Sequence, residues 1–321
     1  MKRVCAASLF VLITICTTTA WAGFGTHYTN GVEGIRAASL PPPGVYLRLY
    51  NVFYSADELK DRNGDNFGNF DLDVFAVVPR VIWITNYKLL GADYFVDVVV
   101  PLVNTDISLG MGNMTVFSDD QFGLGDIAVE PLGLSWHGDR YDAAVAFGAY
   151  VPVGEYDETE PASPGLNYWT GMITAGATYY LDQPKTWSAS ILARYEFHGE
   201  NDDTDMTNGD DFHFEWGIGK KLAQFWEIGA AGYCQWQVTD DSGRGATDSR
   251  DQVYAAGPEV NYYIAPLKTN ATFRYVMEFD AEDRSDPPRR EHPAHGVDQR
   301  EAHVERHGDD EAQDPHRGEH Q

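Results

Sequence analysis

The chain has 321 residues, 43% hydrophobic and 13% aromatic, and its 49 acidic against 23 basic residues give a formal net charge of −26. That balance excludes a nucleic-acid binder, which needs a basic face, and the length allows one large β domain or two ordinary ones. Two of the three cysteines, Cys5 and Cys16, fall in the leading apolar stretch, so a disulfide-stapled fold is excluded as well.

Residues 1–22 have the pattern of an export signal. Lys2 and Arg3 precede an apolar run from Val4 to Cys16, and Ala20-Trp21-Ala22 supplies a small-x-small cleavage site. The run is shorter than the ~20 residues of a membrane-spanning helix, and no later run is long enough either. Cleavage would leave Cys234 as the single thiol. Residues 23–43 are glycine-rich and end in Pro41-Pro42-Pro43, a stiff extended spacer. Two readings stand for this segment, a plug inside a lumen or a disordered leader, and it is expected to start in the periplasm.

Eleven segments then follow with strand character. They are Val45–Tyr54, Asp71–Ile84, Ala92–Val103, Asp126–Trp136, Tyr141–Val151, Trp169–Leu181, Thr186–Phe197, Phe212–Gly219, Trp226–Val238, Gln252–Tyr263 and Asn270–Phe279. Thr186–Phe197 shows the pattern best: Trp187, Ala189, Ile191, Ala193, Tyr195 and Phe197 lie on one face, and Ser188, Ser190, Leu192, Arg194 and Glu196 on the other. Asp71–Ile84 is apolar on both faces. Each segment is about as long as, or slightly longer than, the ~9–11 residues of a tilted membrane strand.

The connections alternate. Long acidic ones, such as residues 55–71, 104–125 and 198–211, follow odd segments; short ones, such as His137-Gly138-Asp139-Arg140, follow even segments. Outer-membrane barrels have long loops outside and tight turns inside. The expectation is an all-β fold: an antiparallel up-and-down transmembrane β-barrel over residues 44–279, apolar faces toward lipid and polar faces toward a lumen. Trp83, Trp136, Trp169, Trp187, Trp226, Tyr54 and Tyr263 sit near strand ends, as an interfacial girdle requires. Single-chain barrels have an even strand count, so eleven segments leave a twelfth strand missing and an unpaired edge on the first. Residues 280–321 form an Arg/His/Asp/Pro-rich tail, read as disordered and as a frameshifted or diverged replacement of that strand. Its six histidines have no spacing that closes a metal site.

The stretches "HYTNGVEGIRAASLPPPGVY", "GLGDIAVEPLGLSW", "YVPVGEYD", "GDDFHFEWGIGK", "GYCQWQVTDDSG" and "AGPEVNYY" resemble the meta-pathway phenol-degradation family of outer-membrane proteins. The likeness runs from about Gly23 to Phe279. It implies a twelve-stranded barrel passing hydrophobic or aromatic compounds across the outer membrane, and it brings no catalytic residue and no cofactor.

Strand parity points ten charged or titratable side chains at the lumen: Arg48, Arg80, Asp97, Glu130, Arg194, Glu196, His213, Glu215, Arg274 and Glu278. They form either a charged constriction or a mutually neutralised filling of a narrow barrel. Same-face neighbours such as Arg194 and Glu196 can pair inside a polar lumen without full desolvation. The function expected is a channel, not an enzyme, with small hydrophobic or aromatic solutes, outer-membrane lipid and lipopolysaccharide, and the barrel-assembly machinery as partners. The alternatives are a lipid-modifying enzyme using His213, which lacks a recognisable nucleophile, and a structural or adhesive barrel. The acidic loops match no twelve-residue calcium-loop pattern and are taken as a solvated outer face.

Overall fold

The computed structural model describes residues 10–18, 26–61, 65–282 and 285–286, the first and last of these as backbone only. The charged start of the export signal, its Ala20-Trp21-Ala22 triplet and the histidine-rich tail from residue 287 lie outside the described residues. The strands are β1 (Phe10–Thr18), β2 (Gly44–Ala56), β3 (Glu58–Leu59), β4 (Asn69–Leu89), β5 (Ala92–Val99), β6 (Leu102–Met111), β7 (Met114–Leu124), β8 (Ile127–His137) and β9 (Tyr141–Val151). They continue as β10 (Thr170–Tyr180), β11 (Trp187–His198), β12 (Met206–Thr207), β13 (Asp211–Lys221), β14 (Trp226–Gln237), β15 (Ser242–Gly243), β16 (Gln252–Ile264), β17 (Thr269–Glu282) and β18 (Ser285–Asp286).

Sequence neighbours pair antiparallel through β4, β5, β8, β9, β10, β11, β13, β14, β16 and β17, and β2 pairs antiparallel with β4. The place between β2 and β17 is filled by β1, parallel to both: Phe10 to Thr17 partner Tyr46 to Phe53, and Ile13 to Thr18 partner Ala271 to Val276. Hydrogen-bonded neighbours therefore run from β2 through β1 and β17 round to β4 and back to β2. The edge of β2 that the sequence left without a partner carries β1.

Alternation sets which side chains go inside. In β11, Ser188, Ser190, Leu192, Arg194 and Glu196 are buried, while Trp187, Ile191 and Phe197 are exposed at 41%, 47% and 49%. In β17, Thr272, Arg274, Val276 and Glu278 are buried against exposed Phe273, Tyr275, Met277 and Phe279. Trp83, Trp169, Trp187, Trp226 and Tyr263 face outward and Trp136 is half-buried. Tyr54 does not join that girdle. It is 2% exposed and points inward, because it shares the parity of Tyr50 and Val52 on β2.

The connection expected at 104–125 is instead a hairpin. The N-terminal half of β4 pairs with β6 (Asn69↔Gly110 to Val77↔Leu102), β6 pairs with β7, and the two project past the barrel. Val100 and Pro101 interrupt the stave between β5 and β6, consistent with proline lacking a donor for the ladder. Polarity inverts in this projection: Phe70, Leu72, Val74, Val103 and Ile107 are buried inside and Asp71 and Asp73 are outside. A sheet that has left lipid for water buries its apolar face. At the other end the turn after β4 is Leu90-Gly91, both with positive φ (52° and 80°), the conformation that suits a two-residue hairpin. The barrel also runs past residue 279: β17 continues to Glu282, and β18 pairs with β3.

Candidate functional site: a lumen filled by the N-terminal segment

Residues 26–43 run through the lumen from the long-loop end to the short-turn end, bonded to the wall along the way. At the long-loop end His27 bonds Thr170 Oγ1 through Nδ1 (2.7 Å) and Asp126 Oδ2 through Nε2 (2.9 Å), and its ring stacks on Tyr150. Asp126 also accepts the backbone N–H groups of Gly154 (2.9 Å) and Leu166 (2.7 Å), so one carboxylate ties the loop after β9 to the segment. Burial lowers the His27 pKa, and the hydrogen bond and charge of Asp126 only partly offset it. Burial would raise the Asp126 pKa, but the His27 and backbone N–H bonds together hold it below the usual carboxylate range.

Farther in, Tyr28 donates to Glu215 Oε2 (2.6 Å), Asn30 donates to Gln235, and the Glu33 N–H donates to Glu215 Oε1 (2.8 Å). Ile35 N–H meets Glu259 Oε2 at 3.0 Å, and the Ser190 hydroxyl donates to Gly34 O at 2.8 Å. At the short-turn end Arg36 binds Glu227 (2.8 Å) and the Lys185 carbonyl (3.0 Å). The segment thus enters at the long-loop end, against the expectation that it starts at the opposite one. It lies so close to the wall that a Cβ on Gly217 would sit 2.5 Å from its backbone.

All ten side chains singled out by parity point inward, and seven of them join three charge-paired groups. Glu33 lies between Arg48 (2.7 Å) and Arg80 (3.6 Å), which are register partners on β2 and β4. Arg80 forks onto Asp97 (3.0 and 2.8 Å) and reaches Glu130 (2.7 Å). Arg194 binds Glu215 at 2.7 Å and lies 3.9 Å over the Tyr28 ring. Arg274 binds Glu259 (2.7 Å) and the Gly31 carbonyl (2.6 Å), and Tyr233 donates to Glu278. Arg194 pairs with Glu215 and not with its same-face neighbour Glu196. Same-face residues two apart in a strand are ~6.8 Å apart, and cross-strand carboxylates come closer. His213 faces the interior, stacked on Tyr28 at 4.8 Å, and neither of its ring nitrogens has a hydrogen-bond partner.

Two spaces flank this paired belt. A cavity of about 860 Å³ opens at the short-turn side, lined by Pro41, Pro42, Ile82, Leu192, Asn261 and the belt itself. A smaller one of about 80 Å³ lies beyond it, lined by Tyr28, Val32, Val52, Val78, Val99, Ala128 and Met172. Glu33, Arg80, Glu130 and Arg194 line both. These four side chains and the segment form the partition between the two spaces. The smaller space has roughly half the ~150 Å³ of an engineered apolar cavity that admits benzene.

Several interior residues escaped the sequence reading. Tyr28 and Glu33 lie in a segment without periodicity, so nothing marked them. Glu259 shares the inward parity of Val253 and Ala255 on β16, a signal that was present. His198 and Asp211 lie one residue past the expected limits Phe197 and Phe212.

The family model described as "Putative MetA-pathway of phenol degradation" matches residues 56–286. The chain belongs to this family. The match begins at the end of β2 and covers every strand from β3 to β18, so the phenol-degradation family sequence spans most of the barrel wall. Among solved structures, the chain is similar to the crystal structure of an outer membrane channel from Pseudomonas putida F1. The identity is 13% and the TM-score 0.67, over 78% of this chain and 92% of that one, which establishes the shared fold. No curated protein matches the sequence.

Proposed function

We propose that this protein is an outer-membrane channel that lets small hydrophobic or aromatic molecules diffuse passively, gated by its N-terminal segment. The observation that carries this reading is the partition: the segment and the Glu33–Arg80–Glu130–Arg194 belt separate a small, mainly apolar space from a larger one of mixed lining. A solute the size of phenol exceeds the smaller space, so passage requires the segment to move. The outward belt of Trp, Phe and Ile side chains supports residence in lipid, and the channel from Pseudomonas putida F1 shares the fold. Export by a cleaved signal over residues 1–22, insertion by the barrel-assembly machinery and an acidic outer face beside lipopolysaccharide complete the proposal.

The test is flux of phenol and of neutral polar solutes into liposomes holding the purified protein, with and without residues 26–40. Deletion should raise both rates, phenol most. Absence of flux in both forms would mark a sealed structural barrel and refute the channel.

A further inference from the structure

We infer that Glu196, His198, Asp211 and His213 form a binding site for a divalent transition-metal ion, zinc first among them, at the long-loop end of the lumen. One ligand atom each from Glu196, His198 and Asp211 lies within 4.8 Å of the other two, and His213 Nε2 is 4.0 Å from Glu196 Oε2. Zinc ligands stand ~2.0–2.2 Å from the ion and so, in tetrahedral geometry, roughly 3.3–3.6 Å from each other. Glu196, His198 and Asp211 therefore draw in by up to about 1.2 Å on the ion, and His213 joins from the Glu196 side.

Glu196 is fully buried, and neither carboxylate oxygen accepts a well-formed hydrogen bond, although the Tyr28 backbone N–H lies near. His213 is 1% exposed with both ring nitrogens unbonded. A buried carboxylate and a buried imidazole both left without partners, 4.0 Å apart, are a costly arrangement unless something sits between them. Glu196 and Asp211 are moreover direct register partners, and like charges facing each other across a ladder repel. Arg194, on the same face of β11, is committed to Glu215 at 2.7 Å. A divalent ion answers all three at once: it neutralises the carboxylates, uses both oxygens of an otherwise idle Glu196 and takes a lone pair from each imidazole.

The surroundings also prepare the ligands. His198 Nε2–H now donates to Asp211 Oδ2 at 3.1 Å and must give up that proton to an incoming ion, whereupon Thr170 Oγ1, 2.8 Å from Nδ1, can accept the Nδ1–H of the metal-binding tautomer. Gln235 Nε2 supports Asp211 Oδ1 at 3.3 Å. Such outer partners orient metal-bound histidines and carboxylates. Two imidazoles with two carboxylates suit zinc over calcium or magnesium, which prefer oxygen alone.

The experiment uses the full chain, refolded in detergent and stripped with a chelator, titrated with zinc by calorimetry. Expected is one tight equivalent, weakened at least tenfold in Glu196→Gln and in His213→Ala, with Thr170→Val weakened about tenfold as an outer partner. Heat-modifiable gel migration checks that each variant folds. If both variants keep the parental affinity, the metal is held by the tail histidines and the inference fails. Should those variants not fold, cobalt(II) added to the unaltered chain decides. Intense visible absorption of a four-coordinate ion supports the site, and a weak six-coordinate spectrum overturns it.

Discussion

A single methyl group on Gly217 should loosen the partition. Its Cβ would stand 2.5 Å from Gly34 C and Ile35 N and 2.6 Å from Gly34 O. These are backbone atoms, and ordinary contact is ~3.5 Å, so the segment must retreat about 1 Å from β13. Three bonds hold it there: Glu33 N–H to Glu215 at 2.8 Å, Ile35 N–H to Glu259 at 3.0 Å, and the Ser190 hydroxyl to Gly34 O at 2.8 Å. Lengthened by about 1 Å, all three pass the ~3.2 Å at which such bonds lapse. The two to carboxylates are worth about 1.5–3 kcal/mol each and the neutral one about 1. Some 4–7 kcal/mol of anchorage is therefore at stake, enough to shift the segment from seated to displaced. The assay is single-channel conductance in planar bilayers. Gly217→Ala should conduct several-fold more than the parent while migrating as a folded barrel. Parental conductance in a folded Gly217→Ala protein would refute the reasoning.

Three further outcomes follow from the same geometry. Glu33→Gln leaves Arg48 and Arg80 facing each other in register without the shared carboxylate; ion selectivity measured by reversal potential should move toward anions, and the barrel should lose about 3–5 kcal/mol in urea unfolding. Because burial holds the His27 pKa below 6.5 in the seated segment, against the pull of Asp126 and with His198 opposing its charge, acid favours the form in which His27 is freed. Its contribution is complete above pH 6.5 and falls as the pH drops from there toward the lowered value. Conductance should rise on acidification from pH 7 to 5, and His27→Gln should flatten that slope. Ile191 is 47% exposed on the outward face of β11, so Ile191→Arg should cost about 2–4 kcal/mol in lipid vesicles. An effect under about 0.5 kcal/mol would mean that this face meets water.

The barrel was legible because period-two alternation is strong wherever a stave has lipid on one side and polar filling on the other. Arg194 and Glu215 could be placed inside from parity alone, and they are there. The same rule misled at residues 104–125. Val103, Thr105, Ile107 and Leu109 alternate with Asn104, Asp106 and Ser108 as a strand does, but the intervening acids and glycines resemble a loop. Polarity inverts where the sheet leaves the membrane, and the sequence carries no mark of that boundary. Choice of ion-pair partner was not legible either. Arg194 has Glu196 two residues along its own strand, yet it takes Glu215, which also accepts from Tyr28. The N-terminal segment was the least legible part. Its hydrogen bonds reach residues 99 and 143 positions away at His27 and 224 away at Ile35, and no local pattern encodes such distances.

The stave Phe10–Thr18 has a bearing on how the molecule matures. It supplies parallel ladders to both β2 and β17 from within the stretch that reads as an export signal. Neighbouring staves are ~4.8 Å apart, so cutting after Ala22 and releasing the leader would open a slit nearly 10 Å wide, with bare amide edges on either bank. Hydrocarbon cannot hydrate such edges. Were the leader cut, proteolysis and wall closure would be rival events in time: early clipping would oblige the two banks to zip together as a narrower cylinder, whereas late clipping would remove a plank already in use.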